Sequence, residues 1–326
     1  MKLNMNYPLI QRIREEEEFR TPKNLLLKLL IFGIVFLIAS IAESVAMFGG
    51  FFPKLMQWAS SQMTENGGGT VSSQDLMDKL QNMLLDPEYT YILLVSTVLA
   101  TVVTVCFCIF VEGRPLRTMG FRKENGILKY FIGLGAGFVM FSLIVLVSYL
   151  MGGLTWNGFK GGSAGSIALV FFGFMLQGMS EEVIFRGYLM TTILRHHNVW
   201  WAVGVNSVLF AAAHCGNKGF SIMAVVNLIL YAVMISLYTL RTDNLWGACA
   251  VHGIWNFVQG NFYGLPVSGI DSGDTVFSMS LKGENALLNG GAFGLEASLA
   301  TTIVMGVIIA LLLLLPYHPK ADEDAA

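Results

Sequence analysis

Eight apolar runs dominate this chain, most of them near the roughly 20 residues a helix needs to cross a bilayer. They are Leu25–Phe48, Tyr89–Val111, Tyr130–Met151, Ile167–Leu194, Trp200–His214, Ile222–Leu240, Leu245–Phe262 and Ala297–Leu315. The fifth and seventh are short or flecked with polar residues. With 54% hydrophobic and only 13% charged residues, the chain reads as an all-α, polytopic membrane helical bundle. The expected organisation is a cytoplasmic N-terminal segment over 1–24, one transmembrane domain over 25–315 and a cytoplasmic tail over 316–326. A net charge of −2 offers no basic footprint for nucleic acid.

Eight spans put both termini on one side, and the basic residues agree. Lys2, Arg12, Arg14, Arg20, Lys23, Arg114, Arg117, Arg122, Lys123, Lys129, Arg195, Arg241 and Lys320 fall on one side of the runs. Lys54, Lys79, Lys160, Lys218 and Lys282 fall on the other. By the positive-inside rule this is N-in, C-in, in a multi-pass protein expected in the cell membrane. The first apolar run begins late and lacks a cleavage site, so a retained span is expected rather than a signal peptide. Neither end carries a lipidation motif.

None of the eight prolines falls inside a run, which predicts unbroken helices. Two external stretches, Gly49–Glu88 and Tyr263–Glu296, read as loops with short helical pieces, and one of them could cover the outer mouth of the bundle. Cys106, Cys108, Cys215 and Cys249 lie in or beside apolar runs and read as packing residues. Gly133 and Gly137 form a G-x-x-x-G that suits close helix packing.

Against this apolar background three polar sets stand out. Glu181, Glu182 and Arg186 interrupt the fourth run, where each charge costs roughly 2.5–3.5 kcal/mol at the bilayer centre. Such a load requires partners inside the bundle or a wet cavity. Glu182 and Arg186, four apart, share a helix face and can neutralise each other. Glu181 is turned about 100° away and stays available for chemistry. Phe210 and His214 form the second set, with Asn206 on the same face. His252 and Asn256 form the third and also share a face. Measured along the helices, the three sets lie ~10–21 Å from the inner ends of their spans, close to one layer. Glu43 is an orphan charge in the first run, fifteen residues from Lys28. It is read either as a supporting residue or as an interfacial one. His196 and His197 read as loop residues.

A carboxylate beside an imidazole can hold a water and take its proton, while an imidazole and an amide can stabilise the oxyanion formed on a carbonyl. E-E-x-x-x-R, F-x-x-x-H and H-x-x-x-N, in this order on successive membrane helices, resemble the CAAX protease and bacteriocin-processing (Abi) family of intramembrane endopeptidases. The resemblance covers about Ile167–Phe262, with looser similarity in Arg114–Phe121 and in the glycine-rich stretch before the last span. It implies Glu181 as general base, His214 as its partner on the water, His252 and Asn256 as the oxyanion hole, and Glu182–Arg186 as structural support. The implied substrate is a membrane-associated peptide or protein. No cofactor is required by this scheme. Zinc held by Glu181, His214 and His252 is the alternative, although H-E-x-x-H is absent. Two rival functions remain: an ion-coupled transporter, disfavoured by the lack of internal repeats, and a non-catalytic immunity or scaffold protein. The sequence leaves oligomeric state open.

Overall fold

The computed structural model describes residues 7–65, 67–84, 87–270 and 273–317. Most of the expected cytoplasmic tail therefore lies outside the described residues. The chain forms an α-helical bundle in which all eight apolar runs appear as helix. Among the described residues five helices are long and apolar enough to cross a membrane: Leu25–Glu65, Tyr89–Val111, Gly126–Leu150, Ala164–Leu194 and Ile222–Thr242. Val199–Ala213 and Leu299–Leu314 are shorter apolar helices, and the Leu245–Phe262 run is helical but more polar.

In chain order, α1 (Pro8–Glu15) caps the basic end of the bundle. Asp243 accepts from Arg12 Nη1 at 3.0 Å and from Arg122 Nη1 at 2.5 Å, tying α1 to two later connections. Next comes α2 (Leu25–Glu65), at 41 residues about 61 Å long and twice the thickness of a hydrocarbon core. The sequence predicts a loop from Gly49, yet the helix runs on through Pro53. Packing explains the difference. Phe51 meets Tyr89 at 4.5 Å between ring centroids, and Gly50 lies against Ile92, so contacts with α4 (Pro87–Cys106) outweigh the hydrogen bond lost at proline. Between them α3 (Ser73–Leu84) is one of the short helical pieces expected in this stretch.

The expectation of unbroken helices also needs correction. Three of them widen into π-helix, at Phe107–Val111 after α4, at Val183–Met190 and at Val258–Phe262. A proline count cannot report such turns, because they come from an extra residue in the hydrogen-bond ladder rather than a missing N–H. The second follows directly on α6 (Ala164–Glu182) and leads into the single turn α7 (Thr191–Leu194). Its Gly187 carbonyl accepts from Arg114 Nη2 at 2.8 Å, and the same guanidinium reaches Thr191 Oγ1 at 2.6 Å, Thr192 Oγ1 at 3.1 Å and Glu112 at 3.2 Å. Arg114 is thereby the buried brace of the widened turn. Lys28 turns to the Thr192 carbonyl and to His196 Nδ1, 3.1 Å away, and not to Glu43. Burial and the Lys28 ammonium hold His196 down to about 4, so this ring stays neutral.

The centre of the bundle is built by α5 (Gly126–Leu150), α6, α8 (Val199–Ala213), α9 (Ile222–Thr242) and α10 (Leu245–Phe257), with α12 (Leu299–Leu314) beside α9. Glycine sets the distances. A Cβ on Gly133 would stand 2.3 Å from the Gly247 carbonyl oxygen, and one on Gly137 would stand 2.4 Å from Ile254 Cγ2. The G-x-x-x-G therefore seats α5 on α10. On the opposite side a Cβ on Gly178 would meet the Gly253 nitrogen at 2.5 Å. This brings α6 and α10 almost into backbone contact.

At the other end of the bundle, β1 (Leu154–Phe159) pairs antiparallel with β2 (Phe277–Leu281), from Leu154 opposite Leu281 to Phe159 opposite Phe277. The connection that carries β2 and the short α11 (Ala286–Asn289) folds back over the bundle. Gly294, at φ +99° and with no room for a Cβ beside the Pro266 carbonyl, holds its two arms together. Substituting Gly178→Val, which forces α6 off α10, is expected to cost on the order of 3 kcal/mol. Gly33→Val, where no atom lies within 4 Å, should leave thermal unfolding in detergent unchanged.

Candidate active site

The close approach of α6 and α10 puts their polar residues face to face. Glu181, near the end of α6, His214, which caps the C-terminus of α8, and His252 with Asn256 on α10 all line one cavity of about 190 Å³. Each of the four residues singled out from sequence is therefore on its wall. Glu43 is there as well, which favours the supporting reading over the interfacial one.

Glu181 is the centre of the arrangement. Gln177 Nε2, one turn earlier, donates to its Oε1, and Gln177 Oε1 accepts in turn from Asn256 Nδ2 at 2.8 Å. Glu181 Oε2 is buried and accepts no hydrogen bond from any described residue. It faces His214 Nε2 at 3.9 Å and His252 Nε2 at 3.8 Å. The other ring nitrogens decide the tautomers. His214 Nδ1 lies 2.9 Å from the Phe210 carbonyl and His252 Nδ1 lies 2.8 Å from Glu182 Oε1. Carbonyl and carboxylate oxygens only accept, so both Nδ1 atoms carry hydrogen. In the neutral rings both Nε2 atoms then present lone pairs toward Glu181 Oε2. The gaps are too long for direct hydrogen bonds and suit one bridging water.

Glu182 does more than neutralise a neighbour. Its Oε1 takes Arg186 Nη1 at 3.1 Å together with His252 Nδ1, and both Glu182 and Arg186 are fully buried. The Arg186 guanidinium lies 4.5 Å over the Phe210 ring, where the aromatic face offsets part of its lost hydration. Phe210 also touches His214, at 4.8 Å between ring centroids. Asn206, on the same helix face, is not at the cavity: it donates to Ser236 Oγ at 3.1 Å and joins α8 to α9.

A tetrahedral zinc with bonds of about 2.0–2.1 Å would require ligand atoms about 3.4 Å apart. The separations of 3.8 and 3.9 Å exceed this. Among the described residues no three His, Cys, Asp or Glu side chains form a metal-holding group. As placed, the three side chains do not fit a closed zinc site.

Among the cavity residues that escaped the sequence reading are Gln177, Tyr231 and Glu296. Gln177 stands four before Glu181, and its polarity within an apolar run was the available signal. Tyr231 looked like one more aromatic of an apolar helix. Glu296 looked like the end of a loop, but its carboxylate accepts from the Ser268 N–H at 2.7 Å and hydroxyl at 2.8 Å and completes the far wall.

Residues 163–258 match the family of type II CAAX prenyl endopeptidases described as Rce1-like. The similarity to that family is confined to this stretch. It contains Glu181, His214, His252 and Asn256, and the membrane-embedded endopeptidase character expected from the three motifs agrees with it. Glu43, Ser268 and Glu296 lie outside the match. No curated protein matches the chain.

Arg186→Met is expected to strand a buried carboxylate and cost about 3–5 kcal/mol. The double variant Glu182→Gln/Arg186→Met should recover part of that loss in thermal unfolding measured in detergent.

Proposed function

We propose that this protein hydrolyses a peptide bond within the membrane by means of a glutamate-activated water. The observation that carries the reading is the convergence of Glu181 Oε2 with two imidazole Nε2 atoms at 3.8–3.9 Å inside a protein-walled cavity. Three acceptors around one point call for a small donor. A water there gives its two hydrogens to two of them, and a proton on one imidazole serves the third.

In this scheme Glu181 takes a proton as the water oxygen attacks the substrate carbonyl. Gln177 restrains the carboxylate from its other oxygen, so Oε2 keeps its direction. His214 holds the water from the opposite side. Glu182 orients His252 and stabilises its imidazolium, whose Nε2–H then faces the developing oxyanion. Asn256 serves the same centre through its amide, with one hydrogen held by Gln177 and the other available to substrate. Collapse of the intermediate breaks the C–N bond, and the proton on Glu181 passes to the leaving nitrogen. Membrane-anchored or prenylated peptides, or the leader of a secreted peptide, are the substrate classes this reading favours.

Peptidomics of membranes containing the wild type or Glu181→Gln tests the proposal. Peptides that depend on Glu181 are expected, with cleavage of a fluorogenic prenylated CAAX peptide lowered about 10³-fold or more in the variant. Identical peptide sets, or a biological role that survives Glu181→Ala, His214→Ala and His252→Ala, would point to a scaffold instead. Stoichiometric zinc that a chelator removes together with activity would replace the metal-free step.

A further inference from the structure

Peptide hydrolysis needs hydrogen-bond donors aimed at the carbonyl oxygen as it gains charge, and several of the donors lining this cavity are already engaged. Gln177 Nε2 is given to Glu181, and one Asn256 hydrogen to Gln177. Both imidazole Nδ1–H groups are held, by the Phe210 carbonyl and by Glu182. Thr97 Oγ1 donates to the Leu94 carbonyl at 2.6 Å, and Ser268 Oγ to Glu296. Tyr231, in α9, differs from all of them. It lines the cavity, the residue is 6% exposed, and its hydroxyl has no hydrogen-bond partner among the described residues.

The ring is firmly placed. Its centroid lies 5.2 Å from that of His252, 5.4 Å from Trp255 and 5.8 Å from Phe210. Those neighbours include one residue of the candidate reaction centre and the aromatic hub beneath it. A buried phenol left without a partner is unfavourable for folding alone, and an uncommitted donor on a ring packed against His252 in the cavity wall is of the kind that stabilisation of an oxyanion requires.

We propose that Tyr231 is a further catalytic residue of the hydrolysis proposed above, its hydroxyl donating to the carbonyl oxygen of the bond that is cleaved. As the water oxygen bonds to the carbonyl carbon, the C=O π pair moves onto oxygen and is held there by the Tyr231 O–H. The phenol keeps its proton throughout. The water's proton goes to Glu181 and then to the leaving nitrogen, and the C–N bond breaks as C=O re-forms.

Tyr231→Phe removes one oxygen that bonds to no described protein group, so a merely structural tyrosine would tolerate it. The probe is a fluorogenic prenylated CAAX peptide with the full-length protein in detergent. The expected result is a kcat about 10²-fold below wild type, a KM within about twofold, and thermal unfolding unchanged or higher. A second variant with fluorotyrosine at 231 keeps the ring and makes the hydroxyl a stronger donor, and it should match or exceed wild-type kcat. Glu181-dependent cleavage that Tyr231→Phe leaves at the wild-type rate overturns the role of Tyr231 while sparing the hydrolytic reading. Should wild type and Glu181→Gln cleave equally, the hydrolytic reading fails and takes this role with it.

Discussion

One carboxylate oxygen, Glu182 Oε1, receives both the Arg186 guanidinium and the His252 Nδ1–H in the dry centre of the bundle. A charge at such depth is costly unless it is met by an opposite charge and by hydrogen bonds. The Glu182–Arg186 pair supplies the first and His252 the second. Because His252 sits on α10 and the pair on α6 and its π turn, this oxygen also joins two helices. The same contact fixes the imidazole tautomer and turns Nε2 toward Glu181. Neighbouring glutamates thus have different surroundings: Glu182 is buried, with one oxygen held by Arg186 and His252, while Glu181 lines the cavity and has its unpartnered Oε2 between two imidazoles.

That division works only because the backbones approach closely. Gly178 and Gly253 leave α6 and α10 without side chains at their crossing, and Gly133 and Gly137 do the same for α5 and α10. Between helices in lipid, dense packing of this kind replaces the hydrophobic drive that water would supply. The π turn that begins at Val183 then changes the phase of the helix just past the glutamates, and Arg114 satisfies the carbonyl it frees at Gly187. The looser sequence similarity around Arg114 thereby acquires a physical reason: it marks a brace beneath the reacting segment.

The matched stretch contains the four candidate catalytic residues but does not enclose the cavity. The far wall comes from the connection after α10, where Ser268 holds the Glu296 carboxylate and Gly294 allows the two arms to touch. Glu43 enters from α2. The four candidate catalytic residues thus lie inside the family match, whereas Glu43, Ser268 and Glu296 reach the cavity from segments outside it.

The sequence by itself determined the helical membrane class, the approximate spans and the four residues that face the cavity. Length, apolarity and the cost of charge in lipid leave few alternatives for Glu181, His214, His252 and Asn256. Folding alone decided which partner each one has. Helical spacing shows that Glu182 can reach Arg186, but it contains nothing about His252, seventy residues away. The run past Gly49 reads as a loop because local propensity omits the packing of α2 on α4. Tyr231 and Glu296 were invisible as site residues for the same reason: a polar atom becomes functional through the atoms that three-dimensional packing sets against it, or fails to.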